Sequence, residues 1–199
     1  MLKLGKDHLQ GPIAKLFNAV MAEGKVPKEW KKSKIKCLKK KCDDPLEAKN
    51  WRPISQCSFV GKIFERLVVY RIQKHLESRG FFTDDQYGFR WNRSCEDNMV
   101  QYIGQIERWT KLGIPCDSVM IDFEKAFDKV CFGTLIEKLH GAGIRGTILK
   151  VIKDWLTDRT RIVEVKGQYS ETMAVSSSVV QGSCFGPIFF LVFVNDIIA

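Results

Sequence analysis

Apolar positions recur at helical spacing in several stretches of the chain. Ile13, Leu16, Phe17, Val20 and Met21 fall on one side of a helix predicted over 12–22, ended by Gly24 and Pro27. A longer pattern over 59–79 places Ile63, Phe64, Leu67, Val68, Ile72 and Leu76 on one face and stops at Gly80. Ser94 and Asp97 have capping-box spacing, opening a helix whose buried side is expected to hold Val100, Ile103, Ile106 and Trp109. Segments 134–140 and 147–156 read as helices separated by Gly141-Ala142-Gly143, and Pro187 opens a buried helix over 188–198. Strand patterns are shorter. They cover 33–38, an apolar buried strand at 117–123, and a hairpin from 162–165 through Lys166-Gly167 to 172–175. Asp43-Asp44-Pro45 is a turn. Helices and strands mix, so the class is α+β or α/β. No period of 20–50 residues and no low-complexity tract suggests a repeat architecture.

Composition narrows the class further. With 45% hydrophobic and 28% charged residues over 199 positions, the chain is of ordinary globular type and can bury a core without disulfides or a structural metal. The longest uninterrupted apolar run, 188–194, is too short to span a bilayer. No apolar stretch follows the N-terminal lysines, so a nuclear or cytoplasmic protein is expected rather than a secreted one. The seven cysteines form no C-x-x-C pair, and His8, His75 and His140 lie far from them, which fits reduced thiols and gives no zinc-ligand spacing. Charge changes the picture more. Of the net +9, most comes from residues 1–50, which hold 13 lysines against 6 acids. The lysines crowd into 28–36 and 39–41, a stripe that favours a polyanionic partner, a solvated face being the alternative.

Three segments carry candidate chemistry. In Ile121-Asp122-Phe123-Glu124-Lys125-Ala126-Phe127-Asp128 an acid stands at the end of the expected buried strand, where burial is costly unless a partner offsets the charge. A divalent metal is one such partner; a helix or turn cap is the other reading. In Val180-Gln181-Gly182-Ser183-Cys184-Phe185-Gly186-Pro187, glycines near a helix start allow close approach of a flat or phosphate-bearing ligand, or form an ordinary junction. Asn50-Trp51-Arg52-Pro53-Ile54-Ser55 offers an Arg fork for a phosphate, or a surface ion pair.

Taken in order, VPKEWKKSKI (26–35), NWRPIS (50–55), GKIFERLV (61–68), QYGFR (86–90), IDFEKAFDKV (121–130), QGSCFGP (181–187) and FLVFVND (190–196) resemble the reverse transcriptase domain of non-LTR (LINE-type) retrotransposons. The resemblance implies an α+β fold, the fingers and an incomplete, RRM-like palm of a right-hand polymerase over 26–199, after a helical lead-in at 1–25. It implies nucleotidyl transfer onto a primer 3′ end with two Mg²⁺ ions. Asp122 matches the first catalytic carboxylate, and the Phe123 main-chain carbonyl a second metal ligand. Arg52 with one of Lys39, Lys40 or Lys41 (taken as Lys40) matches the triphosphate grip, Phe127 the aromatic that favours deoxynucleotides, and Gln181 with Gly182 the segment against the nucleotide. Arg90 matches a template contact, and Lys31, Lys32 and Lys34 are expected on template or primer phosphates. Partners would be an RNA template, a DNA primer and deoxynucleoside triphosphates, with no membrane and no obligate protein partner.

The family's aromatic–Ala–Asp–Asp motif, which carries the other metal-binding carboxylate, is not reached by Ala199, so a fragment inactive on its own is expected. Asp128 is read as a helix cap and Asp196 as falling at the far end of a helix. Val180 replaces the proline usual before the Gln-Gly pair, and Trp91-Asn92 replace smaller or basic residues. Rival readings are an RNA-templated RNA polymerase, a non-catalytic nucleic-acid-binding remnant, and a poorly soluble product of a decayed element.

Overall fold

A computed structural model describes residues 5–39, 47, 50–124, 126–175 and 179–197. Within them the chain is a mixed α+β structure. Helix α1 (Lys6–Glu23) leads, and a 3-10 turn (Lys28–Lys31) delivers the chain into β1 (Lys32–Lys39). Strand β2 (Trp51–Gln56) and helices α2 (Phe59–Ser78), α3 (Cys95–Lys111), α4 (Phe132–Gly141) and α5 (Gly146–Leu156) follow. Strands β3 (Arg159–Val165), β4 (Gln168–Tyr169) and β5 (Met173–Val175), helix α6 (Phe185–Val194) and a 3-10 turn (Asn195–Ile197) complete the order.

The sheet runs β2-β1-β3-β4, with β5 also on β3. Strand β1 pairs antiparallel with β2 and parallel with β3, so a long crossover through β2 and four helices separates the two central strands. The 162–175 hairpin forms as expected, with its return split between β4 and β5. The pleat sorts the lysine stripe. Lys32, Lys34 and Lys36 point to one face of β1, while Ser33 and Ile35 are buried on the other.

The helices gather into one core. Ile72 and Leu76 of α2, Leu135 and Leu139 of α4, Val151 and Ile152 of α5, and Phe185 and Phe189 of α6 are all sealed from solvent. Phe17 of α1, Trp30 and Phe64 close one end as an aromatic cluster, with ring centroids 5.3–6.1 Å apart.

Several expectations change. Helix α1 begins a turn and a half before Pro12, which sits inside it. The carbonyl left without a donor by that proline belongs to exposed His8, where water can serve it. Leu67 is exposed, and Glu65 takes a buried place on the apolar stripe of α2. Helix α6 starts at Phe185 and gives way to the 3-10 turn at Asn195. The expected cap at Asp128 is absent: α4 has Cys131 at its N-cap, with Asp128 in the preceding turn. The turn at 43–45 lies outside the described residues.

Two corrections bear on function. Residues 117–123 form no strand, and Val119, Met120 and Ile121 are more than 80% exposed. An apolar run becomes a strand only where a sheet edge offers it backbone partners, and this sheet's edges lie elsewhere. Helix α3 has the expected capping box, Ser94 Oγ accepting from Asp97 N–H and Asp97 from Ser94 N–H, yet none of its side chains is buried. Val100 and Ile103 face solvent because no element of the described residues packs on them. Ser94→Ala should therefore cost about 1 kcal/mol locally. Amide exchange should rise in the first turn of α3 while the global melting temperature hardly moves; a loss spread through α2 and α5 would show instead that α3 is packed.

Candidate functional site

Three of the sequence segments converge at the edge strand β2. Ser55 N–H donates to the Gln181 carbonyl across 3.0 Å, so the Gln181–Gly182 turn extends the sheet edge by one bond. Gly182 has φ +107°, and a Cβ there would lie 2.7 Å from the Ser55 carbonyl oxygen. Only glycine allows that approach. On the turn's other side, Val179 N–H donates to the Phe127 carbonyl across 2.9 Å, linking it to the segment that carries Asp122. The Phe127 ring rests on Phe190 of α6 at 5.1 Å, and Phe123 meets the same ring edge-on at 6.5 Å. Phe190 thus anchors both aromatics of that segment.

Beneath the turn lies a cavity of about 40 Å³ lined by Ser33, Pro53, Ser55, Asp128, Arg161 and Gln181. The Arg161 Nε is buried there without a hydrogen-bond partner among the described residues. Sequence reasoning passed over Arg161 because alternating charged and apolar residues in a hairpin look like ordinary surface.

The turn is also fixed from the core. Glu65 Oε2 accepts from Cys184 N–H at 2.7 Å, and Glu65 Oε1 from the Trp155 indole Nε1–H at 3.1 Å. Arg159, almost fully buried, donates to the Trp155 and Trp30 carbonyls and stacks on the Trp155 ring at 4.1 Å. Burial pushes the Glu65 carboxyl above its ordinary value and lowers Arg159. Sequence reasoning missed this network too. The available signal was that Glu65 shares a helical stripe with Val68, Ile72 and Leu76.

The remaining expected residues divide between two faces. Arg52 is in register with Leu38 on the lysine-bearing face, together with Lys36, whereas Pro53 and Ser55 face the cavity. The structure therefore does not bring Arg52 to the Gln181 face. On the lysine-bearing face, Lys32 pairs with Glu29 at 2.7 Å, and Lys34 with Glu164 at 3.2 Å; Lys34 also lies over the Tyr169 ring. Lys34 is raised above its ordinary value by its bonds to Tyr169 and Glu164.

Lys31 is not on this surface. It closes the 3-10 turn before β1 and is buried beside Trp30, its Nζ 3.0 Å from Asp154. Arg90 is likewise turned inward, forked onto Glu77 and bonded to the Thr83 carbonyl. Lys40 lies outside the described residues.

Asp122 is exposed on the irregular segment. Asp196 is ion-paired with Lys138 at 2.6 Å, which holds its carboxyl below the usual range. Among the described residues no group of three or more His, Cys, Asp or Glu could hold a metal ion. A magnesium ion prefers six oxygens in near-octahedral order, so one exposed carboxylate and a carbonyl do not fit it. No helix of the described residues is long and apolar enough to cross a membrane.

Comparison with known proteins agrees with the motifs. Residues 31–199 match the family model described as reverse transcriptase (RNA-dependent DNA polymerase). Among curated Drosophila melanogaster proteins, the chain is 32% identical over 93% of its length to a probable RNA-directed DNA polymerase from transposon BS. It is 28% identical over 98% of its length to the RNA-directed DNA polymerase from mobile element jockey, and 28% over 92% to its counterpart in the X-element. It spans about a fifth of the length of each. The chain belongs to the reverse transcriptase family, and its resemblance to the domain carried by non-LTR retrotransposons is borne out.

Proposed function

We propose that this chain serves RNA-templated DNA synthesis, holding nucleotide and nucleic acid while a primer 3′ hydroxyl attacks the α-phosphorus and pyrophosphate leaves. In this reading 26–199 are fingers interleaved with part of a palm, and 1–25 a helical lead-in. The carrying observation is that NWRPIS, IDFEKAFDKV and the stretch from Val179 through QGSCFGP meet through two backbone hydrogen bonds and one glycine-only contact. Phosphoryl transfer asks a protein mainly for position and charge. The Gln181–Gly182 turn supplies a backbone segment seated against β2 by the Gly182 contact, and Phe127, braced by Phe190, supplies a fixed aromatic wall for a deoxyribose. The lysine-bearing face of β1 and β2 supplies phosphate contacts for an RNA template and DNA primer.

The family is generally divalent-metal-dependent, and metal chemistry would come from carboxylates held together at the primer terminus. Among the described residues Asp122 is exposed and belongs to no group of three or more His, Cys, Asp or Glu that could hold such an ion. That arrangement favours a second reading for the chain by itself: a nucleic-acid-binding piece without incorporation activity.

The test is binding of the purified chain to an RNA–DNA primer–template across a salt series. Affinity should fall steeply with salt, and replacing Lys32, Lys34 and Lys36 together by Gln should weaken binding more than about tenfold and flatten the slope by about 2–3. Asp122→Ala should leave binding unchanged, and no nucleotide should be incorporated. Salt-independent binding, or binding indifferent to the three lysines, would contradict the proposed face. Extension by the chain itself, abolished in D122A, would remove the second reading.

A further inference from the structure

We infer that Glu65 is the positioning residue of the Gln181–Gly182 turn, a role that rests on the nucleotide-facing reading of that turn. The turn has two attachments on its β2 and Phe127 sides, both between backbone groups. On the core side its exit into α6 is held by a side chain. The Glu65 carboxylate receives the Cys184 N–H, two residues beyond Gly182, and that amide opens α6. A carboxylate at a helix N-terminus is favoured by the unsatisfied N–H groups there. The Glu65 oxygens are themselves fixed, because Oε1 is bonded to the indole of Trp155, which is wedged against Phe185 and Phe189. Ser183 Oγ then accepts from Gly186 N–H, so the first turn of α6 has little freedom to slide along β2.

Burial pushes the Glu65 carboxyl above its ordinary 4.5, against the opposing influence of the Cys184 amide, Arg159, Trp155 and Lys62. The proton is therefore bound more tightly folded than unfolded. The associated stability is fully present below pH 4.5 and is lost as pH rises through the raised value. The Glu65 oxygen nonetheless makes the shortest hydrogen bond to the turn, at 2.7 Å.

Glu65→Gln keeps the size, removes the charge and leaves one of two donors without an acceptor. In the full chain at pH 8, amide exchange over 180–186 should rise about tenfold or more, with α4 and α5 unchanged. The dissociation constant for dGTP, measured with primer–template present, should rise by about the same factor. The melting temperature should change by only a few degrees, and the wild type should lose ground to E65Q as pH rises. Cys184→Pro, which removes the donor while Cys184 already has φ −76°, should reproduce the exchange result with Glu65 intact. Glu107→Gln, on exposed α3, serves as the unchanged control. Unaltered exchange over 180–186 in both variants would overturn the inference, as would a uniform loss of protection with a large fall in melting temperature. If the wild type binds no dGTP, the nucleotide reading fails, while the exchange data still decide whether Glu65 places the turn.

Discussion

Gly182→Ala should lower the melting temperature by roughly 2–12 °C and abolish measurable nucleotide binding. A side chain at φ +107° is strained by on the order of 1–3 kcal/mol before any contact is considered. For a domain near this size each kcal/mol corresponds to roughly 2–4 °C. The new Cβ would also lie 2.7 Å from a backbone oxygen that cannot swing aside as a flexible side chain would. Relief requires the turn to move off β2, which breaks the Ser55–Gln181 bond. Gly113→Ala provides the comparison, since Gly113 has φ +66° but open space around it. It should show the strain without the loss of binding. Scanning calorimetry and dGTP titration of both variants check the pair.

Trp155→Ala should be the most destabilising of these substitutions, at about 3–5 kcal/mol, or roughly 6–20 °C. Trp155 is 1% exposed and joins α5 to α6 through Phe185 at 5.0 Å and Phe189 at 6.3 Å. Truncation opens a cavity, removes one donor from buried Glu65 and takes the aromatic surface from under buried Arg159. Trp155→Phe keeps one aromatic six-membered ring but loses the indole N–H and part of the bicyclic volume, so it should cost less than the truncation, at about 1–3 kcal/mol. Chemical denaturation of the two variants separates packing from the hydrogen bond. Equal losses would show that the bond to Glu65, rather than the volume, dominates.

Much of the architecture was legible because it rests on local rules. The helices α2, α4 and α5, strand β1, the hairpin and the Ser94–Asp97 capping box all follow from periodicity and end signals. What periodicity cannot show is whether a partner exists. Val100 and Ile103 lie on a well-formed apolar stripe left exposed among the described residues, and 117–123 is apolar yet pairs with no described strand. The candidate site was legible as motifs in order but not as a surface. The β2 pleat put Arg52 on the face away from the cavity that Gln181 lines, and the 3-10 turn before β1 buried Lys31 against Asp154. Arg90 looked like a phosphate contact and is an internal fork onto Glu77, a pairing 13 residues apart that spacing does not announce. Glu65 and Arg159 were invisible as a pair for the same reason, since 94 residues separate them and only the packing of α2 on α5 and α6 brings them together.

The central claim is that β2, Phe127 and the Gln181–Gly182 turn form one nucleotide-facing surface. Photo-crosslinking of 4-thio-deoxythymidine triphosphate to the chain in the presence of an RNA–DNA primer–template, followed by peptide mapping, tests it most directly. The account predicts adducts confined to peptides containing 51–56, 123–128 and 179–186, reduced to background in Gly182→Ala. Adducts concentrated instead on α4 or α5, or unaffected by Gly182→Ala, would contradict it.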